Sequence, residues 1–207
     1  MLILSVPLRF YFRARAVGLE NIPKSGSCLI LSNHVSLIDP PAIGIMVYFR
    51  KKTRFMARDT LFGNVFLKYF LEHVGALPLN RGAGFRGGFE KAFEALKKEE
   101  LALVAFPEGT RSCDGKLKEG KPGIGLLVLQ ANLPVVPCYI SGAYEAMPKG
   151  RLLPLPKKIV FTFGEPFTVL PVMGREPTKE DYKRVTAEIM NKIAALGGVP
   201  SPDIKSA

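Results

Sequence analysis

Residues 27–40 read Ser-Cys-Leu-Ile-Leu-Ser-Asn-His-Val-Ser-Leu-Ile-Asp-Pro. The run Ser27 to Ser32, bounded by Gly26 and Asn33, predicts a buried strand. Asp39-Pro40 then supplies an N-cap and a first-turn proline for a helix running to about Phe49. The two polar residues richest in chemistry, His34 and Asp39, fall in the turn between strand and helix. A strand that hands over to a helix through a polar turn is the repeating step of an α/β fold.

The same alternation continues outward. Arg54 to Ala57 predicts a strand, Leu61 to His73 a helix ending near Gly75, and Gly75 to Leu79 a short strand. Phe89, Phe93 and Leu96 recur at helical spacing within Gly88 to Glu99, and Leu101 to Phe106 (LALVAF) is the clearest buried strand of the chain. A helix over Gly123 to Ala131 and strands over Val135 to Ile140 and Ile159 to Phe163 follow. Thr178 with Asp181 forms a capping box for a last helix to about Leu196, and Gly142 to Lys158 predicts a long surface loop. With 207 residues, 47% of them hydrophobic, the chain fits one compact α/β domain.

The formal charge of +11 suits a polyanionic partner, and Arg50, Lys51, Lys52, Arg54 and Arg58 crowd into nine residues. Charge alone does not choose among nucleic acid, an anionic bilayer and a phosphorylated substrate. Three widely spaced cysteines without a C-x-x-C pair argue against a disulfide framework and fit a reducing, cytoplasmic setting. Two histidines, His34 and His73, stand apart from any ligand cluster, so no metal is expected. No stretch reaches the roughly 20 apolar residues of a spanning helix. Residues 1–17 are apolar and aromatic (Leu2, Ile3, Val6, Leu8, Phe10, Tyr11, Phe12) and backed by Arg13 and Arg15, which suits a segment lying in a headgroup layer or a first helix packed on the core.

Four segments carry chemistry. In Asn33-His34-Val35-Ser36-Leu37-Ile38-Asp39 a continuous helix would turn residues five apart by about 140°, so the pair meets only if the chain bends between them. If it does, the carboxylate fixes the imidazole tautomer and leaves the other nitrogen free to accept a hydroxyl proton; a loop histidine beside a capping aspartate fits the same letters. Phe106-Pro107-Glu108-Gly109-Thr110-Arg111-Ser112 leaves a buried strand with a glycine, hydroxyls and an arginine, which suits an anion cradle or a plain turn. Gly75 to Arg81 closes a short strand on Arg81, and Pro134 to Pro137 leads into a strand where packing is the simpler role. Lys121 stands just before a helix, where a phosphate could bind.

In this order and spacing the four segments resemble the motif blocks of the 1-acyl-sn-glycerol-3-phosphate acyltransferase family. N-H-x-x-x-x-D and F-P-E-G-T-R-S match in full; Pro78 and Leu79 depart from the usual second block, and Cys138 from the fourth. The resemblance runs from about Gly18 to Phe167. It implies a central, largely parallel sheet flanked by helices, the glycerophosphate-acyltransferase-like fold. It also implies acyl transfer from a thioester, acyl-CoA or acyl-carrier protein, to the free hydroxyl of a lysophospholipid, with no further cofactor. By the same resemblance His34 is the general base and Asp39 its orienting partner. Arg81 and Arg111 would bind the acceptor phosphate and Glu108 and Gly109 would shape the same pocket, with Thr110 and Lys121 as further substrate-binding candidates.

Direct attack fits better than an acyl-enzyme, because Cys113 has no base in its sequence neighbourhood and no G-x-S-x-G elbow exists. A lipid acceptor would place the protein on the cytoplasmic face of an anionic membrane, peripheral or monotopic. Rival readings are another lysophospholipid as acceptor and a silent lipid-binding module. Nucleic acid is not expected as a partner, since there is no tryptophan and no recognisable binding motif.

Overall fold

The computed structural model describes residues 10–80, 82, 87–151 and 153–202, without the side chain of Phe70. Arg81 and residues 1–9 of the apolar N-terminal segment therefore lie outside the described residues. The strands are β1 (Arg15–Val17), β2 (Cys28–Ser32), β3 (Thr53–Arg58), β4 (Ala76–Leu79), β5 (Ala102–Ala105), β6 (Val135–Ser141) and β7 (Val160–Phe163). The helices are α1 (Asp39–Val47), α2 (Val65–His73), α3 (Glu90–Lys98), α4 (Gly123–Ala131), α5 (Ala143–Ala146) and α6 (Lys179–Gly197).

The strands form one sheet in the order β1-β7-β6-β2-β5-β3-β4. β6, β2, β5, β3 and β4 are mutually parallel, whereas β7 runs antiparallel to β6 and carries β1 with it. Strand β2 lies near the middle and all five of its residues are buried, as its unbroken apolar run requires. Its side chains alternate between faces. Cys28 and Ile30 join the core under α1, with Ala42, Ile43 and Val47. Leu29 and Leu31 join the core under α4 and α6, with Leu127, Val128, Val185 and Ile189. The expected parallel sheet flanked by helices is what the chain builds.

Several details differ from the sequence expectation. Asp39 is the first residue of α1 rather than its cap, and the helix stops at Val47. The helix expected over Leu61 to His73 is split into a 3₁₀ turn (Asp59–Gly63) and α2. Asn64 between them is extended, and its side-chain oxygen accepts from Leu67 N at 3.1 Å, capping the second piece. The surface loop after Gly142 contains α5, whose Ala143 and Ala146 are buried. Residues 15–17 form the edge strand β1, and Phe12 just before it is buried.

The basic run does not form one surface. Arg50 donates to the carbonyls of Ile22 and Glu20, and Lys51, buried, donates to those of Lys24 and Gly26. Lys52 and Arg54 pair with Glu99. These four sit at the start of β3, and Arg58 alone emerges at its far end.

Candidate active site

The carboxyl ends of the five parallel strands share one edge of the sheet, the side on which open α/β sheets place their ligands. Past the end of β2, Asn33 is buried and its amide replaces a missing strand partner. Its Oδ1 accepts from Ile140 N at 2.7 Å, and its Nδ2 donates to Ile140 O at 3.0 Å. That clamp to β6 fixes where the chain leaves the sheet.

The turn after it folds back. Asp39, fully buried, accepts through Oδ2 from Val35 N at 2.8 Å, from Ser36 N at 2.7 Å and from His34 Nδ1 at 2.9 Å. The chain thus bends as the pair requires. One carboxylate oxygen shapes the turn and holds the ring, leaving His34 Nε2 as the acceptor. The Phe106 ring stacks on the imidazole at 4.1 Å between centroids, so ring orientation is fixed from two directions. The His34 side chain keeps 17% of its surface open, enough to meet a substrate.

Glu108 reaches this cluster from the β5 exit. It is buried, its Oε1 accepts from His34 N at 2.8 Å and its Oε2 from Lys118 N at 3.3 Å. Burial pushes its carboxyl up to about 7, outweighing the two backbone donors, which act in the opposite direction. Its carboxylate therefore ties the two loops together. A second tie runs from Ser112 N to His34 O at 2.7 Å. Gly109, with φ of 66°, makes the turn between them, where a side chain would be strained. Thr110 and Arg111 follow on the same loop, both half-buried, and Lys121 N donates to Pro107 O at 2.8 Å.

Of the expected site residues, His34, Asp39 and Glu108 are thus joined in one hydrogen-bonded cluster, with Gly109, Thr110 and Arg111 on the adjoining loop. Lys121 is exposed and connected to it through its backbone. Asn33, Ser36 and Phe106 had no assigned role. The letters N-H and F-P-E contain two of them, but their contacts reach across 107 and 72 residues, beyond any local pattern. The V-P segment lies inside β6, where Pro137 pairs with Leu31. Cys28 and Cys138 are buried, with thiols pushed up by burial to about 11 and about 12, unsuited to nucleophilic attack.

A parallel-sheet protein with a His-Asp pair held at its strand ends is an acid–base enzyme scaffold, and comparison with known proteins defines it further. The family model described as Acyltransferase matches residues 13–141, and the chain belongs to that family. The chloroplastic 1-acyl-sn-glycerol-3-phosphate acyltransferase BAT2 of Brassica napus is 29% identical over 70% of this chain and 42% of that protein. The 1-acyl-sn-glycerol-3-phosphate acyltransferase of Bacillus subtilis (strain 168) is 26% identical over 86% of this chain and 84% of that protein. The crystal structure of the 1-acyl-sn-glycerophosphate (LPA) acyltransferase PlsC from Thermotoga maritima superposes with a TM-score of 0.67. It is 26% identical and covers 95% of this chain and 78% of that one. The chain spans less than half the length of the plant relatives it matches.

Proposed function

We propose that this chain transfers a fatty acyl group from a thioester, acyl-CoA or acyl-carrier protein, to the free hydroxyl of 1-acyl-glycerol-3-phosphate at a membrane surface, giving phosphatidic acid. The observation that carries the reading is the 2.9 Å contact between His34 Nδ1 and a buried Asp39 oxygen, itself held by two backbone N–H groups. It presets the tautomer in which Nε2 takes a proton.

As the acceptor oxygen attacks the thioester carbonyl, its proton moves to His34 Nε2. Collapse of the tetrahedral adduct breaks the C–S bond, and the departing sulfur takes the proton back. No acyl-enzyme is required, since the thioester is already activated. The half-buried Arg111 supplies the planar donor fork that suits a phosphate, and by resemblance Arg81 joins it. Thr110 and Lys121 add donors to the same side, and Gly109 lets the backbone come close.

The test is thiol release from acyl-CoA by the purified protein against a panel of lysophospholipids. Release should depend on 1-acyl-glycerol-3-phosphate and fall by about 10²- to 10⁴-fold in His34→Ala. Preference for a lysolipid with a larger head group would reassign the acceptor. Undiminished turnover in His34→Ala would remove the general-base role.

A further inference from the structure

The exposed apolar side chains are not scattered. β1 and β7 begin beside Ser141, at the end of β6, because Arg15 pairs with Val160 and Val160 with Ser141. Phe10, Tyr11 and Leu153 therefore emerge on the same edge as His34, and Tyr11 Oη donates to Pro154 O at 2.9 Å. Leu37 projects from the His34–Asp39 turn, exposed. On the other flank, seven residues past the end of β3, α2 begins.

Helix α2 is apolar on two sides. Leu67 and Leu71 lie on one side, and the helix packs chiefly on the 59–63 turn and on β4. Val65, Phe66 and Tyr69 fall within an arc of about 100° on the other. They are 78%, 88% and 74% exposed. A surface helix normally turns charge outward; this one turns out two aromatic rings and a valine, with His73 stacked on Tyr69 and Glu72, paired with Lys68, at the margin. Lys68 flanks that face, and Arg58, Lys116, Lys149 and Arg151 stand exposed on the same edge. Aromatic and aliphatic side chains on an edge that also carries these cations match the chemistry of an anionic lipid leaflet, with acyl chains beneath and phosphates above.

We infer that α2 and the turn before it, through Leu61, Val65, Phe66 and Tyr69, seat the protein in a phospholipid leaflet and bring the His34 edge down to the bilayer. The inference rests on the acyltransferase reading, in which acceptor and product are lipids, and adds the element that makes the contact.

The chain contains no tryptophan, so Phe66→Trp gives a single reporter in α2, and Phe49→Trp a matched one, exposed on the opposite edge. Vesicles of phosphatidylcholine with phosphatidylglycerol should blue-shift the Phe66→Trp emission, and brominated acyl chains should quench it, with Phe49→Trp unchanged. Phe66→Ser with Tyr69→Ser should weaken vesicle binding about tenfold or more. Turnover on a water-dispersed short-chain lysophosphatidate should be unchanged. Co-sedimentation with a silent Phe66→Trp, or undiminished binding of the double variant, overturns the inference and leaves membrane association standing. Turnover without any co-sedimentation overturns both it and the membrane reading but not acyl transfer. A blue shift that grows with protein concentration in the absence of lipid overturns it in favour of a second copy of the chain. Insertion of Phe66→Trp in a protein that turns over no lysophospholipid supports the docking face while removing the acyltransferase reading.

Discussion

At the scale of single residues, the site is organised by side chains that imitate backbone. Asp39 Oδ2 does the work of a turn carbonyl toward Val35 and Ser36, and Asn33 the work of a strand partner toward Ile140. Glu108 does the same for two loops at once, and its buried carboxyl couples stability to pH. In the unfolded chain a glutamate loses its proton near about 4.3. In the folded protein burial holds the Glu108 carboxyl near about 7. Between these values the folded state carries the additional proton, so stability declines as pH rises through that window and levels off above it. Glu108→Gln should flatten the slope. Its Oε1 still accepts from His34 N, but its Nε2 opposes the Lys118 N–H, a mismatch costing about 1–3 kcal/mol at low pH. Urea unfolding of both proteins at a series of pH values measures the two slopes, and equal slopes would mean that Glu108 is not the group responsible.

At the scale of elements, the contact between α4 and α6 fixes the helix that follows the Glu108–Ser112 loop. Gly125 permits it, because a Cβ there would lie 2.1 Å from Tyr182 O. The same close approach lets Gly125 N donate to Thr186 Oγ1 at 3.0 Å, which in turn donates to Tyr182 O at 2.8 Å. Gly125→Ala cannot be absorbed by a side-chain rotation, since the obstacle is backbone. It should lower stability by about 1–3 kcal/mol. A thermal midpoint depressed by several degrees is the readout, and an unchanged one would mean that α6 shifts freely.

The elements also show where sequence was informative. β2, β5, α4 and the Thr178–Asp181 box are local statements, made by an unbroken apolar run or by residues three apart, and the structure contains them as read. β1 could not be read that way. It has three residues, and its partner β7 lies more than 140 residues later. The break at Asn64 was hidden because the apolar period continues across it. In the site, the bend that brings His34 to Asp39 was open to two readings. The letters permitted it, but the Val35 and Ser36 amides enforce it.

At the scale of the whole molecule, the positive charge is divided between two edges that do different things. Arg50, Lys51, Lys52 and Arg54, at the start of β3, face away from His34 and are held by carbonyls or by Glu99. Their crowding in sequence is structural. Lys149 and Arg151 lie on the His34 side, beyond β6, where Met147 O accepts from Ser36 Oγ at 2.8 Å. A cation near an anionic lipid surface contributes about 1 kcal/mol, fading within a Debye length of about 8 Å at physiological salt. The strands put the two groups on opposite edges, so only one can be that close when the site faces lipid. Lys149→Gln with Arg151→Gln should therefore weaken binding to anionic vesicles by roughly tenfold or more and reduce its salt dependence. Binding to neutral vesicles should change little. Lys52→Gln removes a cation of equal charge on the far edge, with a half-exposed ion pair as its only loss, and should leave both kinds of binding as they were. Sedimentation with vesicles across a salt series compares the three proteins. If Lys52→Gln weakened anionic binding as much as the double substitution, the protein would respond to its net charge rather than to the face it presents.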